Sequence, residues 1–178
     1  MMYSLDGIEF ETIGDFMEAY FERAAVKLLG HTEAKPAYFI NTETSDVSDI
    51  ETAIANGIKL PALILDAFDD TIQNRSDSVR TRLTAAITVI ATYDQGNAKD
   101  LRKVRNQCRD IGRKIVMQMH RDNMMPLSGV LIKQKIHLEK EEVNGMYIGP
   151  MRGIFTGWAY EFAWYLPDNL MYGSEDWS

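Results

Sequence analysis

Apolar residues recur at two periods along this chain, and the switches between them mark its elements. Thr12 followed by Asp15 reads as a capping box, and Ile13, Phe16, Met17, Tyr20, Phe21, Ala24 and Leu28 then repeat at helical spacing up to Gly30. This predicts a first helix over about 12–29. A short strand is expected over 37–42. Ser45 or Asp46 can cap a second, shorter helix running through Ile50, Ala53 and Ile54 to Gly57. The run Leu60 to Phe68 reads as a strand with its Pro61 near the start, where a missing N–H is tolerable. Residues 69–78 are polar and aperiodic and predict a long mobile loop; the sequon Asn74-Arg75-Ser76 falls in it. From Arg82 to Tyr93, Leu83, Ala85, Ile87, Val89 and Ala91 alternate with threonines, as in a strand with one buried face.

The period then returns to the helical one. Leu101, Val104, Cys108, Ile111, Ile115 and Met119 form a stripe over about 97–122, long enough to cross a whole sheet. Val130, Ile132, Ile136 and Leu138 predict a further strand. Asn144-Gly145 reads as a turn, and Ile154, Thr156, Trp158, Tyr160, Phe162, Trp164 and Leu166 alternate in the most aromatic strand of the chain, ended by Pro167. The order α-β-α-β-β-α-β-β implies an α+β domain. Its sheet is expected to be mainly antiparallel, made of two long hairpins (about 60–93 and 130–166), with the long helix packed across one face and extra helices at the N-terminal end. One domain spans 1–178, with an ordered core over about 12–166 and an acidic tail over about 167–178.

Composition narrows the function classes. Of 178 residues, 46% are hydrophobic and 10% aromatic, enough for one real core and too many for a disordered chain. The formal charge of −7 argues against nucleic acid as the main ligand, and sequence-specific binding is not expected. No apolar run is long enough to span a bilayer and the start lacks the basic-then-apolar order of a secretory signal, so a soluble intracellular protein is expected. The single cysteine, Cys108, allows no internal disulfide.

Candidate chemistry is sparse. His31, His120 and His137 have no metal-ligand spacing, so no metal and no cofactor is expected. Cys108 sits on the apolar stripe of the long helix, where a small core residue is a better reading than a nucleophile. Asp66, Asp69 and Asp70 could seat a divalent cation in a small metal-dependent enzyme or ligand-binding domain, although carboxylates at a strand end are also ordinary turn chemistry. The glycines at 145, 149, 153 and 157 lack the Lys and the helix start of a phosphate loop. Trp158, Tyr160, Phe162 and Trp164 could stack single-stranded bases but have almost no basic neighbours in sequence, so core or subunit-interface positions fit them better. The charge feature that stands out is the basic face of the long helix: Lys99, Arg102, Lys103, Arg105, Arg109, Arg113 and Lys114. Acidic segments at 9–15, 66–70 and 139–142 oppose it. Opposite charges on different elements suit head-to-tail self-association into rings.

The N-terminal helix, the phrase Leu60-Pro61-Ala62-Leu63-Ile64-Leu65, the polar stretch after it, the alternating strand Leu83–Tyr93, the long striped helix and the closing Trp158-Ala159-Tyr160-Glu161-Phe162 together resemble the tail-terminator and head–tail joining (neck) proteins of tailed bacteriophages and related contractile particles. The similarity spans about 12–166. It implies a non-enzymatic virion protein, assembled in the host cytoplasm and located in the tail or neck. Such a protein forms a ring, typically a hexamer, that caps the tail tube and docks to the head connector, with the tail-tube and neck proteins as partners. Under it, Arg105, Arg109 and Arg113, with Trp158 and Tyr160, are expected at an intersubunit or docking surface.

Overall fold

A computed structural model describes residues 2–30, 39–42, 52, 59–75, 78–139 and 143–167. The fold is α+β, a mainly antiparallel sheet with a long helix across it, as the alternation of periods predicts. The expected second helix at 45–57 and the acidic tail lie outside the described residues, Thr52 apart.

The chain opens with a small antiparallel pair, β1 (Tyr3–Leu5) and β2 (Ile8–Phe10). These strands are too short to leave a periodic signal, yet they bury Tyr3 and Leu5 in the main core. Helix α1 (Ile13–Leu29) starts as expected: the Thr12 hydroxyl accepts from the Asp15 N–H at 3.1 Å and donates to the Asp15 carboxylate at 2.6 Å. It stops at Gly30, whose φ of 75° places it in the left-handed region as its N–H reaches back to the Ala25 carbonyl.

Strand β3 (Phe39–Thr42) pairs in parallel with β4 (Ala62–Asp66), the one parallel pairing among the described strands. The polar stretch expected to be a mobile loop is a strand, β5 (Asp69–Arg75), paired residue for residue with the first half of β6 (Ser78–Thr92). β4 pairs with the second half of β6, so β4 and β5 lie on the same side of it. Hydrophobic patterning misses β5 because backbone pairing holds it and Ile72, its central apolar side chain, is 71% exposed.

Helix α2 (Ala98–Met124) begins where Asn97 accepts from the Asp100 N–H, and at about 1.5 Å per residue it extends roughly 40 Å. The region 130–138, expected as one strand, divides into a single helical turn, α3 (Val130–Lys133), and a two-residue strand, β7 (His137–Leu138). The buried residues there are Leu131, Ile136 and Leu138, out of step with the alternation of Val130 and Ile132. The expected turn at Asn144-Gly145 is instead the start of strand β8 (Asn144–Met151), which forms the closing hairpin with β9 (Phe155–Pro167). The hairpin predicted over 130–166 therefore belongs to β8 and β9, with β7 pairing the far end of β9.

The long ladder is β6 against β9, thirteen residue pairs from Arg80↔Pro167 to Thr92↔Phe155. Its helix-facing side supplies Leu83, Ala85, Ile87 and Val89 from β6 and Tyr160, Phe162, Trp164 and Leu166 from β9, all buried against α1 and α2. Trp164 packs its ring against Phe16, Tyr20, Phe21 and Phe162 with centroids 5.6–6.3 Å apart. The other side of the sheet, where the threonines of β6 lie, carries a second small apolar cluster of Ala62, Ile64 and Ile90 with Leu60 and Met151, and Thr88 beside it is also buried.

Candidate interface site

The stripe of α2 fixes where its arginines go. Val104, Cys108, Ile115 and Met119 face the sheet, so residues one position on from the stripe lean over its flank. Arg105 and Arg109 lean toward the β8–β9 hairpin. The Arg105 guanidinium lies 4.3 Å from the centre of the Tyr147 ring, and that of Arg109 lies 5.5 Å from the Trp158 ring. Tyr147 and Trp158 are direct cross-strand partners, so the two cations sit over one aromatic pair. Arg105 Nε also donates to the Thr156 hydroxyl at 3.4 Å, and that hydroxyl donates to the Ile148 carbonyl at 2.9 Å. Tyr160 reaches the Arg109 carbonyl from below at 3.5 Å. Four of the five residues expected at an interface are thus brought together, and Tyr147 and Thr156 join them.

Arg113 stands apart. It faces α1 across a groove of about 630 Å3 and shares no contact with the aromatic pair. Sequence reading also missed Tyr147, because Asn144-Gly145 masked the start of β8; the apolar run Met146-Tyr147-Ile148 is the signal that could have found it. Close packing under the site depends on two glycines. A Cβ at Gly112 would come within 2.8 Å of one edge of the Tyr160 ring, and a Cβ at Gly145 within 2.7 Å of the other. The remaining expected glycine turn has Gly153 at φ 72° between β8 and β9, as a hairpin and without a helix start to hold phosphate.

The other candidates separate. Asp69 and Asp70 are consecutive strand residues and point to opposite faces, with Asp66 back on β4. Among the described residues no three of His, Cys, Asp or Glu converge to hold a metal ion. His120 is on α2, His137 on β7, and His31 lies outside the described residues. Cys108 is 1% exposed, and burial pushes its thiol up to about 11, which leaves it protonated and unreactive at neutral pH. Phe162 and Trp164 are fully enclosed in the core, where no base could stack on them. The indole N–H groups of Trp158 and Trp164 are buried with no hydrogen-bond partner among the described residues. Of the acidic segments, Glu139 is engaged: it accepts from Arg82 at 2.8 Å and from the Tyr165 hydroxyl at 2.7 Å, and its bond with Arg82 raises the pKa of that guanidinium. The segments at 9–15 and 66–70 instead meet, Asp15 and Glu18 of α1 lining one cleft with Asp66 and Phe68.

No helix among the described residues is long and apolar enough to cross a membrane. No protein-family model matches this chain, and no curated protein does.

Proposed function

We propose that this chain is a non-enzymatic structural subunit that closes with further copies of itself into a ring, in the manner of the tail-terminator and neck-joining proteins it resembles. In that role it caps a tail tube and meets the head connector within the virion tail or neck. The opposite charge of the two flanks of the ladder carries the reading, with acids on β5 at one flank and the α2 arginines over uncharged β8 at the other. β5 lies on one side of the β6–β9 ladder and β8 on the other, and among the described strands each pairs on one edge alone. The β5 side presents Asp69 and Asp70 with exposed Ile72, and Asp66 just before them shares a cleft with Asp15 and Glu18. The β8 side presents exposed Met146 and Tyr147 under Arg105 and Arg109. Two different, complementary edges favour heterologous contacts, and these close into rings when the rotation allows.

The test is solution mass by light scattering over a concentration series, with negative-stain microscopy of the largest species. A closed ring is expected. A chain that stays monomeric throughout, alone and with its tail-tube protein, overturns the proposal.

A further inference from the structure

The groove between α1 and α2 has a composition that the ring proposal does not use. Tyr20, Ala24 and Leu28 line it from one helix and Ile115 and Met117 from the other. Met117 is 50% exposed and Leu28 38%, so large apolar groups face solvent along it. Around this strip stand Lys27, Arg113, Lys114 and Arg121, none with an ion-pair partner among the described residues, against a single lining acid, Asp110. Arg23, also on the rim, is held by Asp6 at 3.3 Å and Asp122 at 3.7 Å. A protein of net charge −7 here keeps four cations with no ion-pair partner among the described residues around an apolar floor. That pattern fits an acidic segment with large apolar side chains. Phosphate alone would leave the floor bare.

The chain contains such a segment. Residues 168–178 carry Asp168, Glu175 and Asp176, no Lys or Arg, and the apolar Leu170, Met171, Tyr172 and Trp177. They follow β9 directly. Trp164, three residues before the end of that strand, has its ring 5.6 Å from that of Tyr20, at the groove. Eleven residues can extend to about 36 Å, which exceeds the roughly 26 Å length of the 17-residue α1. We infer that the cation-rimmed groove between α1 and α2 is the receptor for the chain's own acidic, aromatic C-terminal segment, residues 168–178. Docked there, the tail covers Leu28 and Met117 and neutralises the rim. This inference does not depend on ring formation.

A fluorescent, C-terminally amidated peptide with the sequence of residues 168–178 tests it by anisotropy, titrated with two full-length chains. One is the natural chain. The other carries Glu175→Lys, Asp176→Lys and Trp177→Ala, which should free the groove. Because a tethered segment acts at an effective concentration of order millimolar, the natural tail should outcompete the probe, and the altered chain should bind the peptide at least about tenfold more tightly. Adding Arg113→Glu and Lys114→Glu, both exposed positions, should abolish that binding while leaving the thermal unfolding midpoint in place. Equal affinity for both chains, equal binding of a scrambled peptide, or no binding to the altered chain at about 1 mM probe overturns the inference.

Discussion

Tyr20 ties α1 to the end of α2 through one buried hydrogen bond. Its hydroxyl donates to Asp122 at 2.7 Å, where Gln118 also donates and Arg23 supplies charge at 3.7 Å. Removing the hydroxyl leaves a buried carboxylate short of a donor, so Tyr20→Phe should destabilise the fold by about 1–3 kcal/mol in denaturant titration. Burial first, and the Asp122 bond second, raise the Tyr20 pKa far above the phenol range. For an acid whose folded pKa is raised, the stabilisation is complete below the unfolded pKa and is lost as pH rises past it. Stability should therefore fall above about pH 10, at up to about 1.4 kcal/mol per pH unit for this one proton. Cys108 adds a loss of the same sign, since burial moves its pKa from 9.0 to about 11. Unfolding midpoints measured from pH 8 to 11 should show a shallower decline in Tyr20→Phe than in the natural chain; equal slopes would remove Tyr20 as the cause. None of this pair is legible in sequence, because 102 residues separate its members and each alone is an ordinary helix residue.

At the scale of elements, what could be read depended on which side chains meet solvent. α1 and α2 announce themselves through their capping residues and apolar stripes, and β6 and β9 through alternation, since each buries one defined face. β5 does not, for residues 69–72 leave their side chains exposed while the backbone pairs with β6, and the short helix and strand after α2 imitate a strand because Val130 and Ile132 fall in phase with Ile136. The candidate interface site was legible as a set of arginines and aromatics, but its assembly was not: Arg113 belongs to the other flank of α2, and Tyr147 enters on a strand whose first residues look like a turn. The register of that hairpin can be tested at Tyr160, which is wedged between Gly112 and Gly145. Alanine at either glycine forces the ring to move and should cost about 1–3 kcal/mol. In a Tyr160→Leu background, which takes the ring away, Gly112→Ala should cost much less, whereas Gly145→Ala still meets Trp158 Nε1 at 2.8 Å and keeps most of its cost; additive effects for Gly112 in that double-mutant cycle would mean it acts independently of Tyr160.

For the molecule as a whole, the separation of charge sets the contact that copies would make in the proposed ring. Arg105 and Arg109 lie over Tyr147 and Trp158 on one side of the ladder, and Asp69 and Asp70 lie on the other, so a copy can meet its neighbour's acids with its own arginines all the way round a ring. Each exposed ion pair contributes only about 0.2–1 kcal/mol. A ring, however, repeats the contact at every junction, and edge-strand pairing beside Ile72, Met146 and Tyr147 adds the apolar area that charges alone lack. Assembly should then weaken with salt without vanishing, because screening acts on the charges and leaves the apolar part untouched. Arg105→Glu with Arg109→Glu should break the rings into folded monomers, with a lowered unfolding midpoint because the contacts to Tyr147, Trp158 and Thr156 go with the guanidinium groups. Asp69→Lys with Asp70→Lys should break the rings from the other edge. Mixing the two altered chains is the decisive step. Each carries one faulty edge that faces an intact edge of its own kind, but a reversed basic edge on one chain matches a reversed acidic edge on the other, while their unaltered edges still fit. Alternating rings should therefore reappear on mixing, seen as recovery of the large species in light scattering. If the mixture stays monomeric, Asp69 and Asp70 are not what the arginines meet, and the contact lies on another face of the sheet.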